Sequence, residues 1–91
     1  MNAGVLDKQR IDKWLWHARM VRTRTDAGGL VTSGHVRLNG KRIMAPSQPV
    51  KPGDVITLAL DRSVKVVRIE GIADRRGAAP AARALYSDLT K

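Results

Sequence analysis

The segment RIDKWLWHARMVRTRTDAGGLVTSGHVRLNGKR, residues 10–42, decides the fold. Its first part has helical spacing: Ile11, Trp14, Leu15 and Ala18 fall within about a third of the circumference at 100° per residue. Asp12, or a residue just before it, is placed to cap the start, because a short oxygen side chain satisfies orphan N–H groups. The opposite face carries Asp12, Lys13, Trp16, His17, Arg19 and Met20. A basic link, Val21-Arg22-Thr23-Arg24, leads to a second short helix ending near Ser33. Thr23 and Asp26 have the spacing of a capping box, and Ala27, Leu30 and Val31 form the apolar face. Gly28 and Gly29 inside this helix each cost roughly 0.5–1 kcal/mol relative to alanine, so it depends on tertiary packing. Gly34 is a natural stop. The pattern then changes to alternation. His35-Val36-Arg37-Leu38 reads as a strand, Asn39-Gly40 as a hairpin turn, and Lys41-Arg42-Ile43 as the return.

Beyond this segment, Ala45–Pro52 holds three prolines and reads as an ordered loop or irregular edge. Lys51-Pro52-Gly53-Asp54 is a turn, with Pro presetting φ and Gly accepting a positive one. Val55–Leu60 and Val64–Ile72 are strands separated by a turn at Asp61-Arg62-Ser63. Asp74-Arg75-Arg76-Gly77 is a basic loop. Pro80 suits the first turn of a final helix carrying Leu85, Tyr86 and Leu89. Residues 1–9 read as a flexible tail. The expectation is one α+β domain over residues 10–91, with its core motif at 10–73. Two short helices pack on a small antiparallel sheet of three or four strands, with a helix at the C-terminal end.

A chain of 91 residues has room for one domain and one small core. Its 17 basic residues against 8 acidic ones give a net charge of +9, and a pI near 11.2 is the electrostatic footprint of a nucleic-acid binder. Nine of the basic and three of the acidic residues precede Pro46, so the excess sits on the helices and the first hairpin. The absence of cysteine excludes disulfides, zinc ribbons and thiol nucleophiles. Met1–Lys8 lacks the apolar core of a signal peptide, and no apolar run approaches the ~20 residues of a membrane span; a cytoplasmic protein is expected. His17 and His35 have no metal-ligand spacing. Ser33, Ser47, Ser63 and Ser87 have no nucleophile context, and Gly28-Gly29 is not a phosphate loop. No catalytic residue, metal, cofactor or small-molecule substrate is expected, and the chain does not read as an enzyme.

Binding residues are easier to find. Lys13, Trp16 and Met20 lie on one flank of the first helix, where an exposed aromatic beside cations would stack an unpaired base. The competing reading packs Trp16 under the C-terminal helix; Trp14 belongs to the core. Arg22 and Arg24 flank Thr23 at a helix start, where free N–H groups and the helix dipole favour phosphate. Arg37, outward on its strand, and Lys41 would lie beside His35. Arg75 and Arg76 rank lower, because a charge pair in a loop is usually only solvated.

Residues 10–42, followed by Pro46-Ser47 and by VKPGDVI at 50–56, closely resemble the S4 RNA-binding domain. The combined spacing carries this resemblance, and no single piece does. It implies an αL-type motif of two helices on an antiparallel sheet, with RNA docking on the helices and the adjacent hairpin. Trp14-Leu15-Trp16, Asp74-Arg75-Arg76-Gly77 and the Ala-rich stretch ending in Leu85-Tyr86 are similar to the ribosome-associated heat-shock protein 15 family. Matching positions are Arg10, Asp12, Lys13, Arg22, Thr23, Arg24, Gly34, Val36, Asn39, Gly40 and Lys41. Asp12, Gly34, Val36, Asn39 and Gly40 are architectural in that pattern, and the basic residues are the contacts. Together with the direct reading, the RNA-binding set is Arg10, Lys13, Trp16, Arg19, Arg22, Thr23, Arg24, His35, Arg37, Asn39, Lys41 and Arg42, with Arg75 and Arg76 second.

The resemblance further implies binding to ribosomal RNA, with peptidyl-tRNA a candidate second partner, on free large subunits carrying stalled nascent chains, in recycling, quality control and heat shock; a monomer that acts without a membrane is expected. Two rival expectations keep other jobs open: an RNA-presenting subunit of a separately encoded modifying enzyme, and a DNA-binding regulator. Three features depart from the family pattern. Thr23 and Thr25 stand where serine is common, Gly28-Gly29 stand where longer helix formers are usual, and no long basic C-terminal extension is present.

Overall fold

The computed structural model describes residues 8–90. In chain order it contains β1 (Gln9–Arg10), α1 (Ile11–His17), α2 (Arg24–Thr32), β2 (Val36–Leu38), β3 (Lys41–Arg42), β4 (Pro49–Val50), β5 (Val55–Ala59), β6 (Val64–Ile69), α3 (Ala79–Arg83) and β7 (Tyr86–Asp88). The main sheet is antiparallel in the order β3-β2-β5-β6-β7, and β1 pairs with β4 as a separate two-stranded piece. The α+β architecture of two short helices on a small antiparallel sheet, with a further helix near the C-terminal end, is the expected one, but the main sheet has five strands and not three or four, because the chain after α3 adds β7 to its edge.

Local chemistry explains each boundary. The first N–H groups of α1 donate to loop carbonyls, Ile11 to Gln48 at 2.8 Å and Asp12 to Pro46 at 3.2 Å, and Lys13 N–H donates to the Asp12 carboxylate at 2.7 Å, while Arg10 at the cap position makes no side-chain capping bond. Its end is a Schellman closure: Arg19 N–H bonds Trp16, Met20 N–H bonds Leu15, and Arg19 takes a φ of 60°. In α2 the Thr23 hydroxyl accepts from Asp26 N–H at 3.0 Å, as the capping spacing predicts. Its end repeats the closure, with Gly34 at φ 82°, Gly34 N–H on Val31 and His35 N–H on Leu30. Asn39 and Gly40, at φ 51° and 86°, make the two-residue turn between β2 and β3.

Register sorts the sheet into two faces. Val36, Ile56, Leu58, Val67 and Ile69 point to one side and are buried against Ile11, Trp14, Leu15, Ala27 and Val31 of the helices. Arg37, Arg42, Thr57, Ala59, Val64 and Val66 share the other side. Trp14 is a core residue as expected: it is fully buried, its indole N–H donates to Gly71 at 2.9 Å, and Tyr86 packs edge-on at 6.5 Å.

Several local expectations need correction. Helix α1 has only two turns, so Met20 leaves the helix flank and packs against the core. Asp12 and His17 are buried and not on a solvated face, because the Arg10 and Arg24 side chains close over one and the loop at Ala73 covers the other. The final helix stops at Arg83. Tyr86 instead enters β7, paired with Ile69, because the open edge of β6 satisfies more backbone groups than one further helical turn would. Of the anticipated tail, residues 1–7 lie outside the described residues. Gln9 belongs to the fold, with its backbone paired to Val50 and its side-chain amide donating to Ala73 at 2.7 Å.

Candidate nucleic-acid interface

The cations divide by whether a partner already occupies them. Asp12 accepts a bidentate pair of bonds from Arg10 at 3.1 and 3.0 Å, and the Arg24 Nε lies 3.8 Å from the same carboxylate. Arg19 donates to the Gly77 carbonyl at 2.9 Å and Arg76 to the Trp16 carbonyl at 3.0 Å, so these two arginines strap the 74–77 loop across the end of α1. The Arg76 guanidinium also sits 5.8 Å from the centre of the Trp16 ring. Trp16 is half-buried beneath this strap, so the loop, and not the C-terminal helix, covers it. Arg75 is almost fully exposed, with Asp74 at 4.0 Å.

Lys13, Arg22, Arg37, Lys41 and Arg42 have no ion pair or side-chain hydrogen bond among the described residues. The hairpin arranges them differently from the sequence expectation. Arg37 lies opposite Arg42, whereas Lys41 lies opposite Leu38 and so belongs to the other face at the sheet edge. The residue beside Arg37 is therefore Arg42. The two-residue turn sets this register, and one residue of slip exchanges the faces.

Asn39 holds the hairpin in place. Its side-chain oxygen accepts from Val55 N–H at 2.8 Å, and its amide nitrogen donates to Asp54 at 3.1 Å. Asp54 is buried. Burial alone would raise its carboxyl, but bonds from Asn39, the Lys51 ammonium and the Lys51 N–H together hold it below the ordinary carboxylate value. Both ends of the exposed Asn39 side chain are thus committed to bonds within the protein. His17 is also internal: its Nδ1 bonds the Ala73 carbonyl at 2.9 Å. Burial lowers its pKa, the carbonyl opposes this, and Lys13 and Arg24 add to the lowering.

Two shallow grooves flank α2. One is lined by Arg10, Asp12, Arg24, Thr25, Gly28, Thr32 and Pro46. The lining of the other includes Thr25, Asp26, Ser33, His35, Asp61 and Arg62, and it continues past the end of α2 into a cleft on the outer sheet face. Between them the helix surface at Gly28-Gly29 is low; a Cβ on Gly29 would meet nothing within 4 Å. Arg62 is an exposed cation on this groove that the sequence reading treated only as part of a turn. Its signal was faint, since its place depends on Ala59 pairing back toward His35. Among the described residues no cluster of three or more His, Cys, Asp or Glu could hold a metal ion, and no helix is long and apolar enough to cross a membrane.

Helices, hairpin and the KPGD turn together have the form of an S4 domain, and the family model of that description matches residues 9–56. The heat shock protein 15 homolog of Haemophilus influenzae is 37% identical over 79 residues, covering 87% of this chain and 60% of that protein. The small ribosomal subunit protein uS4 of Anaeromyxobacter sp. (strain K) is 42% identical over 72 residues, covering 75% of this chain and 34% of the relative. A trimeric structure of Vibrio cholerae heat shock protein 15 aligns over 90% of this chain and 82% of that one, with a TM-score of 0.84 and 43% identity. The chain belongs to the heat shock protein 15 family of S4-domain proteins. It spans about 60% of the length of the heat shock protein 15 relatives it matches.

Proposed function

We propose that the chain is a non-catalytic binder of structured ribosomal RNA, docking through α2 and the β2–β3 hairpin. One observation carries the reading: Arg22 at the start of α2, and Arg37 and Arg42 beyond its end, have no acidic partner among the described residues. A nine-residue helix is about 13 Å long, so the cations stand at the two ends of a low, glycine-topped ridge. Phosphate is the chemistry that uses such spacing, and the A-form helix is recognised mainly by shape and backbone. Thr23 caps α2 and stiffens the start; Lys13 and Arg24 add charge beside it. Membership in the S4 family, and likeness to a protein named for the ribosomal subunit, support RNA as the polyanion.

The finer reading is that the site is on free large ribosomal subunits carrying a stalled nascent chain, with peptidyl-tRNA within reach, in a cytoplasmic recycling or heat-shock role. The proposed binding unit is a single chain. The V. cholerae relative is trimeric in its structure, so light scattering with and without RNA belongs to the same measurement. Co-sedimentation with ribosomal subunits across a salt series tests the reading. Large subunits should carry the protein at moderate salt, most when they hold peptidyl-tRNA. Binding should fall by roughly 0.7–0.9 log units per phosphate contact for each log unit of salt. The Arg22→Ala, Arg24→Ala double variant should lose binding while keeping its fold. Failure to sediment with either subunit at low salt would overturn the ribosomal assignment, and an unimpaired double variant would overturn the site.

A further inference from the structure

The cleft beyond the end of α2 has a composition that plain phosphate attraction does not require. Ser33, Gly34 and His35 form one wall, and Arg37, Arg42 and Thr57 rise from the sheet. Register puts Arg37 directly between Arg42 on one side and Thr57 on the other, on the face away from the core. Two like charges directly opposite each other in a sheet repel, and such a pair is kept at a small cost in stability. No carboxylate lies within ion-pair distance of either guanidinium among the described residues. An anion between them would remove the repulsion and accept from two planar forks.

The far side of the same cleft is apolar. Ala59 and Val64 are opposite each other at the ends of β5 and β6, and Val64 is 53% exposed, while Val67 and Ile69 on the core face of its strand are fully buried. Hydrogen-bonding groups stand between the two halves: the Thr57 hydroxyl and the His35 ring, whose Nδ1 is paired with the Ser33 hydroxyl at 2.6 Å. A paired arginine clamp, an exposed aliphatic floor and polar groups between them match the parts of a nucleotide. We propose that this cleft takes one unpaired nucleotide of the bound RNA, its phosphate between Arg37 and Arg42 and its base against Ala59 and Val64. The proposal rests on the RNA-binding reading above and adds to it a subsite for a bulged or looped-out residue. A base held flat on aliphatic side chains beside bonding groups is read by shape and contact, with Thr57 and His35 reaching its edge.

Fluorescence anisotropy with three labelled RNA hairpins tests this: one fully paired, one with a single bulged nucleotide, and one with the same bulge lacking its base. The parent protein should bind the bulged hairpin about tenfold more tightly than the other two, the scale of burying part of a base's face against aliphatic carbon. Val64→Ser and the near-isosteric Thr57→Val should each reduce that preference while leaving affinity for the paired hairpin unchanged. Both side chains lie off the core, and thermal melts confirm the fold. The Arg37→Gln, Arg42→Gln variant should weaken all three complexes. Equal binding of the three hairpins by the parent would overturn the subsite while leaving RNA binding intact. So would an undiminished bulge preference in both Val64→Ser and Thr57→Val. A parent that binds none of the three would overturn the RNA-binding reading itself.

Discussion

Replacing Asp54 by alanine probes how the hairpin is anchored. The Asp54 carboxylate is buried and accepts three bonds, from the Asn39 amide at 3.1 Å, the Lys51 N–H at 3.0 Å and the Lys51 ammonium at 3.0 Å. The ammonium belongs to a side chain that is 61% exposed, so that ion pair contributes about 0–1 kcal/mol. The other two are bonds to a charged acceptor, worth about 1.5–3 kcal/mol each when nothing replaces them. Asn39 is exposed and regains water, which discounts its share. The sum is a loss of about 2–3 kcal/mol. For a domain this small that lowers Tm by roughly 10–20 °C.

Urea unfolding of parent and Asp54→Ala at neutral pH and near pH 3 checks both size and origin. The carboxyl is held below its ordinary value of 3.8, so the folded state binds fewer protons than the unfolded one. Its contribution is therefore complete above that value and is lost as pH falls through the lowered folded value. The gap between parent and variant should be full at neutral pH and narrow in acid. A loss below about 0.5 kcal/mol at neutral pH, or a gap that persists unchanged in acid, would refute the anchoring argument.

Two glycines give opposite expectations for the same change. Gly29→Ala should stabilise the chain by about 0.5–1 kcal/mol, since its Cβ meets nothing within 4 Å and α2 gains a better helix former. Gly34→Ala should destabilise it by about 1–2 kcal/mol, because its φ of 82° strains any Cβ. Thermal melts of both variants decide this. His17 should make stability fall as pH drops: burial lowers its folded pKa, so stability is complete above about 6.5 and is lost as pH falls toward the lowered value. Urea midpoints between pH 7.5 and 5 should show that fall in the parent and a flatter profile in His17→Asn. Arg76→Ala should free the strap over Trp16, seen as increased quenching of its fluorescence by iodide, with Trp14 unaffected because it is fully buried.

Features that depend on near neighbours were legible in the sequence. The Asn39-Gly40 turn, the Thr23 cap, the Gly34 stop and the Lys51–Asp54 turn each follow from backbone conformations that only certain residues adopt easily. The solvent face of α1 was not legible. Asp12 and His17 look polar and outward on a helical wheel, yet Arg10 and Arg24 close over one and the carbonyl of Ala73 binds the other, 56 residues away in sequence. The same distance hid β7. Ala81-Ala82-Arg83-Ala84 favours a helix locally, and only the unpaired edge of β6 turns Tyr86–Asp88 into a strand. β1 and β4 are two residues each, too short for any periodicity.

The candidate site shows the same division. A count of positive charges ranks Arg10, Arg19, Arg76 and Arg37 alike, but their contacts do not. Arg10 is neutralised by Asp12, and Arg19 and Arg76 each commit Nε to a backbone carbonyl, so their guanidinium groups are held against the strap and are not free to turn toward a phosphate on α2 or the hairpin. Arg37 and Arg42 give up nothing and are relieved of mutual repulsion. If affinity follows this distinction, neutralising the Arg37/Arg42 pair should cost more RNA binding than neutralising the Arg19/Arg76 pair, although each removes two charges. The Arg19/Arg76 variant should instead lose stability, because the strap across α1 goes with it. Equal losses of RNA affinity in the two double variants would mean that total charge, and not the arrangement of free guanidinium groups, governs binding.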